Sequence, residues 1–171
     1  MNAAGLAGDR VAALAGIDVA ARGYRLHFCK GDYFALAPRA PIELSKLVYP
    51  LPAGPGLGIH ATLDLGGRVR FGPDAEFVRD LDYAVDAEKA ATFATSAARY
   101  LPALRAEWLS PDYAGIRPRL AGVGEPARDF VVQEESAIGL PGFVNLIGIE
   151  SPGLTAALAI GEEVVALLSG L

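Results

Sequence analysis

The spacing of apolar positions changes several times along the chain, and each change predicts an element. Leu6, Val11 and Leu14, with the alanines between them, share one face of a short helix that Gly16 ends. Over residues 24–36 the period falls to two, with Tyr24, Leu26 and Phe28 alternating with Arg25 and His27. This predicts an extended segment, broken by a turn or bulge at Lys30-Gly31-Asp32. Residues 44–49 form a second strand candidate, closed by Pro50 and Pro52. Residues 58–63 and 68–71 flank Asp64-Leu65-Gly66-Gly67, a hairpin signal because glycine supplies the positive φ that tight turns need.

The second half begins with Asp86, a suitable N-cap for a helix running to about Leu101. Phe93, Ala97, Tyr100 and Leu101 would form its buried stripe. Trp108 reads as core or interface, and Gly115-Ile116-Arg117-Pro118-Arg119 as extended, since the residue before a proline avoids the helical region. Residues 130–133 and the more apolar, central 143–149 are further strands. Ser151 caps a last helix with Pro152 at its first position, and Leu154, Ala157, Leu158, Val165 and Leu168 fall on one face. The pattern is α+β: a largely antiparallel sheet, one middle helix and a C-terminal strand-turn-helix.

Composition narrows the classes. A 52% hydrophobic content with 20% charged residues excludes disorder and suggests a face that expects another domain or a second copy, hence a homo-oligomer. The net charge of −5, with acids and bases interspersed, excludes a nucleic-acid footprint. Cys29 is the single cysteine, so no intrachain disulfide forms and a reducing compartment fits. No apolar run approaches the roughly 18 residues of a spanning helix, and the first residues lack the pattern of a signal peptide. The expected location is cytoplasmic, peripheral to a membrane at most. Asp80, Asp82 and Asp86 lack histidine companions and read as a solvated face, so no metal is expected.

The segment Gly148-Ile149-Glu150-Ser151-Pro152-Gly153-Leu154-Thr155 carries the strongest chemical signal. A strand running through a glycine turn into a helix N-terminus suits an anion or a polarised carbonyl, although an ordinary capped helix has the same pattern. With the preceding Asn145-Leu146-Ile147, this segment closely resembles the C-terminal signature of the L-2-hydroxyglutarate dehydrogenases and oxidases, within the FAD-dependent D-amino-acid-oxidase-like superfamily. Asn2-Ala3-Ala4-Gly5-Leu6, Lys30-Gly31-Asp32-Tyr33-Phe34, Val48-Tyr49-Pro50-Leu51-Pro52, Leu57-Gly58-Ile59-His60, Phe71-Gly72-Pro73-Asp74-Ala75 and Gly115-Ile116-Arg117-Pro118-Arg119 agree in the same order. The family opens on a strand and Gly-x-Gly-x-x-Gly, which this chain lacks. Gly54-Pro55-Gly56-Leu57-Gly58 and Gly122-Val123-Gly124 have the wrong spacing and no following helix. The resemblance therefore implies the C-terminal part of a longer enzyme that binds FAD, with this part alone expected to lack it and its missing N-terminal FAD domain as its partner.

The resemblance also implies roles. Gly5, Gly148 and Ser151-Pro152-Gly153-Leu154-Thr155 would approach the flavin. Arg117 would grip the carboxylate of a small 2-hydroxy acid, with Arg119 and Lys30 as weaker candidates for a distal carboxylate. His60 is the candidate base for the hydroxyl proton, since imidazole titrates in the right range. Residues 1–23 would end the FAD-binding core, 24–142 form the substrate domain, and 143–171 return to the FAD domain. The implied reaction is oxidation of L-2-hydroxyglutarate to 2-oxoglutarate. Another 2-hydroxy acid, an amino acid, or a stand-alone non-catalytic interaction domain stay as alternatives.

Overall fold

The structure, a computed structural model, describes residues 1–51 and 58–170. Pro52, read as closing a strand, and the Gly54-Pro55-Gly56-Leu57 run lie outside the described residues. The elements are α1 (Gly8–Leu14), β1 (His27–Leu36), β2 (His60–Leu63), β3 (Val69–Gly72), β4 (Glu76–Val78), α2 (Ala90–Ala97), β5 (Leu109–Arg119), β6 (Val131–Glu135), β7 (Leu140–Ile147) and α3 (Ala157–Ser169). The class is α+β. One sheet has the order β2-β3-β1-β4 with β5 also paired to β1, and a second pairs β6 with β7. The chain forms two compact units: Met1–Cys29, Phe77–Asp80 and Arg117–Leu171 in the first, Lys30–Glu76 and Leu81–Ile116 in the second. Residues 117–142, read from the sequence with the middle domain, fold with both termini.

In the second unit, Asp64-Leu65-Gly66-Gly67 does form a hairpin turn. Gly67 has φ +78°, and β2 and β3 pair antiparallel with Ala61 opposite Phe71. Asp86 Oδ1 accepts the Glu88 amide at 2.9 Å, capping a 3₁₀ turn that leads into α2. Phe93, Ala94 and Ala97 face the sheet, and the Phe93 ring lies 4.6 Å from that of Phe34. Burial of each such phenylalanine contributes about 1.5–3 kcal/mol. The α-helix stops at Ala97, earlier than the sequence suggests, and tighter turns carry the half-buried Tyr100 and Leu101 against the core.

Two strand expectations change. Residues 44–49 hold only one bridge, Val48 to Ala61. Lys30-Gly31-Asp32 is no interruption, because β1 runs straight through it and all three residues are buried. Gly31 is required by close approach, since a Cβ there would lie 2.7 Å from Pro73 Cβ. The charges are matched non-locally: Lys89 Nζ donates to Asp32 Oδ2 (2.7 Å), Asp74 Oδ2 (3.0 Å) and Glu76 Oε2 (2.7 Å). Burial works against this ammonium, but the bonds to Asp32, Glu76 and Asp74 outweigh it and raise its pKa.

In the first unit, β6 and β7 pair antiparallel, with Val132 opposite Leu146. Asn2 lies on the other side of β7 in a parallel bridge to Asn145. Ala12, Ile17, Tyr24, Leu26, Leu120 and Ile147 form this unit's core. The inward face of α1 is Gly8 and Ala12, with Leu14 exposed, because the small residues let the helix approach Ile147. A polar network is buried beside this core. Asn2 Nδ2 donates to Asn145 Oδ1 (2.8 Å), Asn145 Nδ2 to Glu135 Oε1 (2.8 Å), Tyr24 Oη to Glu135 Oε1 (2.7 Å) and Arg22 Nη2 to Glu135 Oε2 (3.0 Å).

The start of α3 is also corrected. Residues 151–156 form turns, α3 begins at Ala157, and its N-cap Ala156 makes no side-chain cap. Ser151 is therefore not the cap and Pro152 not the first helical residue. The reason is the tight turn before it: the Gly153 amide donates to Glu150 O at 2.6 Å, and a Cβ on Gly153 would meet Ile149 Cγ2 at 2.3 Å. Val164 is the buried residue of α3, whereas Leu154 and Leu158 are 94% and 86% exposed and Val165 is exposed too. Among the described residues no helix is long and apolar enough to cross a membrane, and no three His, Cys, Asp or Glu side chains form a candidate metal site.

Candidate functional site

Arg117 and Arg119 are two apart on β5, so the strand's alternation puts both side chains on one face. Gly148, with φ +73°, turns the chain after β7 and brings Glu150 to them. Glu150 Oε1 accepts from Arg119 Nε at 3.1 Å, and its Oε2 lies 4.0 Å from Arg117 Nη1. The side chain of Arg117 is 34% exposed and that of Arg119 26%. Cys29 lies against the same group. Burial pushes its thiol up from the ordinary value, against the pull of the Arg119 and Arg117 charges and of an Arg119 hydrogen bond. The cluster is three long polar side chains over a buried thiol, with one more positive than negative charge.

Close packing fixes the approach. A Cβ on Gly148 would lie 2.5 Å from Leu120 Cγ, and Leu120 is buried with no room to retreat. Gly148→Ala is therefore expected to cost about 2–4 kcal/mol, from a left-handed backbone carrying a side chain and from overpacking. Chemical denaturation measures it, and a loss under about 1 kcal/mol would show that the strand and turn tolerate separation.

Beyond Glu150 the turn presents the exposed side chains of Ser151, Pro152, Leu154 and Thr155, while Gly153 is buried. The exposed Ser151 and Thr155 hydroxyls of this turn can meet the polar edge of a flavin ring, so the residues present fit FAD. An apolar cleft of about 430 Å³ lies alongside, lined by Ile149, Gly153, Ala157, Ile160 and Val164 among others. Gly5, with φ +54°, begins a 3₁₀ turn next to the Asn2 network, and a Cβ there would meet nothing.

The remaining sequence candidates belong to the second unit. His60 opens β2, is 9% exposed, and packs on Tyr49 with ring centroids 4.3 Å apart. The adjacent Ile59 carbonyl accepts from Tyr100 Oη at 2.8 Å, and burial pushes that phenol up to about 12, so it stays protonated as a donor. Lys30 Nζ donates to the Ala84 carbonyl and lies 3.5 Å from Asp32 Oδ1. Buried and matched in this way, Lys30 serves the strand's charge balance, which argues against a distal-carboxylate role.

The structure thus brings Arg117, Arg119 and the Gly148–Thr155 turn together within the first unit. Glu150 was not singled out from the sequence, although it lies inside the quoted signature. Its signal is an acidic residue between a buried strand and an exposed turn, two positions beyond a glycine.

Comparison with known proteins gives the family and the fold. A match to the family described as DAO, FAD dependent oxidoreductase, covers residues 1–167. The mitochondrial L-2-hydroxyglutarate dehydrogenase of Arabidopsis thaliana is 44% identical over 148 residues, covering 81% of this chain and 31% of that protein. A glycerol 3-phosphate dehydrogenase of Caloramator mitchellensis is 29% identical, over 83% of this chain and 28% of its own length. Among solved structures, the dithionite-reduced L-alpha-glycerophosphate oxidase of Mycoplasma pneumoniae, with FAD bound, superposes with a TM-score of 0.79 at 27% identity. It covers 98% of this chain and 42% of that one. The chain spans less than half the length of these relatives.

Proposed function

Because this chain belongs to the DAO family of FAD-dependent oxidoreductases, we propose that it is the substrate-side part of a flavoprotein that oxidises a 2-hydroxy acid, L-2-hydroxyglutarate first among them. The observation that carries this reading is Arg117. Its side chain is a third exposed, and its one ion pair among the described residues is the 4.0 Å contact with Glu150. A planar fork in that state can take a carboxylate through two charge-assisted hydrogen bonds. The 44% identity to an L-2-hydroxyglutarate dehydrogenase supports the choice of acid.

Bound FAD would accept the hydride from the alcohol carbon. Ser151, Leu154 and Thr155 would hold the ring's polar edge, with Gly148, Gly153 and Gly5 shaping the chain around it. The exposed Leu158 and Val165 face of α3 would be covered by the dinucleotide-binding part of the full-length protein. Residues 1–23 and 143–171 then serve the flavin side and 24–142 the substrate side. Similarity to glycerol 3-phosphate enzymes supports a second reading in which Arg117 grips a phosphate, because a guanidinium recognises both anions. Product analysis of the full-length flavoprotein tests the first reading: 2-oxoglutarate from L-2-hydroxyglutarate is expected, and oxidation of glycerol 3-phosphate alone would replace it.

His60 is proposed to take the hydroxyl proton, held by Tyr49 and by the Tyr100 bond to its neighbouring carbonyl. His60→Ala is expected to leave substrate binding within about threefold and to slow flavin reduction about 100-fold near neutral pH. An unchanged limiting rate under anaerobic conditions would remove His60 from the reaction.

A further inference from the structure

Arg117 and Arg119 share one face of β5, and Glu150 treats them differently. It accepts from Arg119 Nε at 3.1 Å but stands 4.0 Å from Arg117 Nη1. Arg119, whose side chain is 26% exposed, is thereby the guanidinium that holds the carboxylate. The Glu150 side chain is only 17% exposed, and its carboxylate lies among the guanidinium groups. Counting these three side chains gives two positive charges and one negative.

Resting on the carboxylate role of Arg117, we propose that Glu150 is a specificity-determining residue that neutralises Arg119, so that the arginine pair receives one carboxylate and not two. Arg119 then positions Glu150 and does not touch substrate. The distal carboxylate of a dicarboxylic acid is read elsewhere. The converse arrangement, with Arg119 as a second carboxylate ligand, requires Glu150 to be displaced into solvent by the incoming acid.

The test uses the FAD-loaded full-length protein and two acids that have no hydroxyl to oxidise, pentanoate with one carboxylate and glutarate with two. Binding is read from the shift of the flavin spectrum on titration. In Glu150→Gln, Arg119 loses its counter-charge, so glutarate should tighten about tenfold and pentanoate change by less than about threefold. Glu150→Asp, which keeps the charge, should restore the wild-type ratio of the two affinities. Equal changes for both acids, or none, would overturn the proposal.

A second variant decides the matter if Glu150→Gln does not retain FAD. Arg119→Met releases Glu150 to engage Arg117, and both acids should weaken alike, by about tenfold. Selective loss of glutarate would instead make Arg119 a ligand of the second carboxylate and overturn the proposal. The premise is checked separately: an Arg117→Met protein that binds both acids as the wild type does would remove the carboxylate role itself, whatever Glu150 does.

Discussion

Arg117→Met is expected to leave FAD bound to the full-length protein while turnover of L-2-hydroxyglutarate falls about 100-fold or more. Geometry sets the size of this loss before charge does. Arg117 projects from β5, whose neighbour Leu120 is locked against Gly148, so the guanidinium is tied to the turn that would meet the flavin. A carboxylate held at two points from that strand has its C2 hydrogen in a fixed place, and small misplacement is costly in hydride transfer. Methionine keeps the apolar stem and loses every guanidinium donor. Arg117→Lys should recover little, because an ammonium is a point charge without the fork. Steady-state kinetics on protein of verified flavin content measure the loss, and wild-type saturation by Arg117→Met would remove the role.

The second large effect concerns stability. Glu135 is wholly buried and accepts from Arg22, Tyr24 and Asn145, and Asn145 in turn accepts from Asn2. Glu135→Ala would remove the acceptor for three donors at once and leave the Tyr24 hydroxyl and the Asn145 amide unpaired in the interior, which costs about 2–5 kcal/mol. For a chain of this size that lowers the melting temperature by about 10 °C. Glu135→Gln keeps an oxygen in place and should cost less. Thermal unfolding of the two variants separates the cases, and an Ala variant that melts with the wild type would show that water replaces the carboxylate without loss.

What could be read from the sequence was local. The hairpin at Gly66-Gly67 and the cap at Asp86 are each decided by residues within a few positions, and both appear where their chemistry puts them. Arg117 and Arg119 stood out because the Gly115–Arg119 segment resembles that of the family, while Pro118 marked the stretch as extended. The misread elements depend on distant partners. Lys30-Gly31-Asp32 has turn composition, yet Lys89, far along the chain, neutralises Asp32 and lets the strand continue. Ser151-Pro152 imitates the start of a helix, but packing of Gly153 against Ile149 and Glu150 delays α3 to Ala157. The apolar stripe through Leu154 and Leu158 was legible as a stripe, while the side of the helix that meets this chain is set by Val164. Glu150 escaped for the same reason: its role exists only once Gly148 has turned it onto β5.

The most direct test of the account is anaerobic stopped-flow reduction of the full-length flavoprotein, mixed in turn with L-2-hydroxyglutarate and glycerol 3-phosphate. Rapid, saturable bleaching of the flavin by L-2-hydroxyglutarate is expected, lost in Arg117→Met, with slow or no bleaching by glycerol 3-phosphate. Fast reduction by glycerol 3-phosphate with none by L-2-hydroxyglutarate would contradict it.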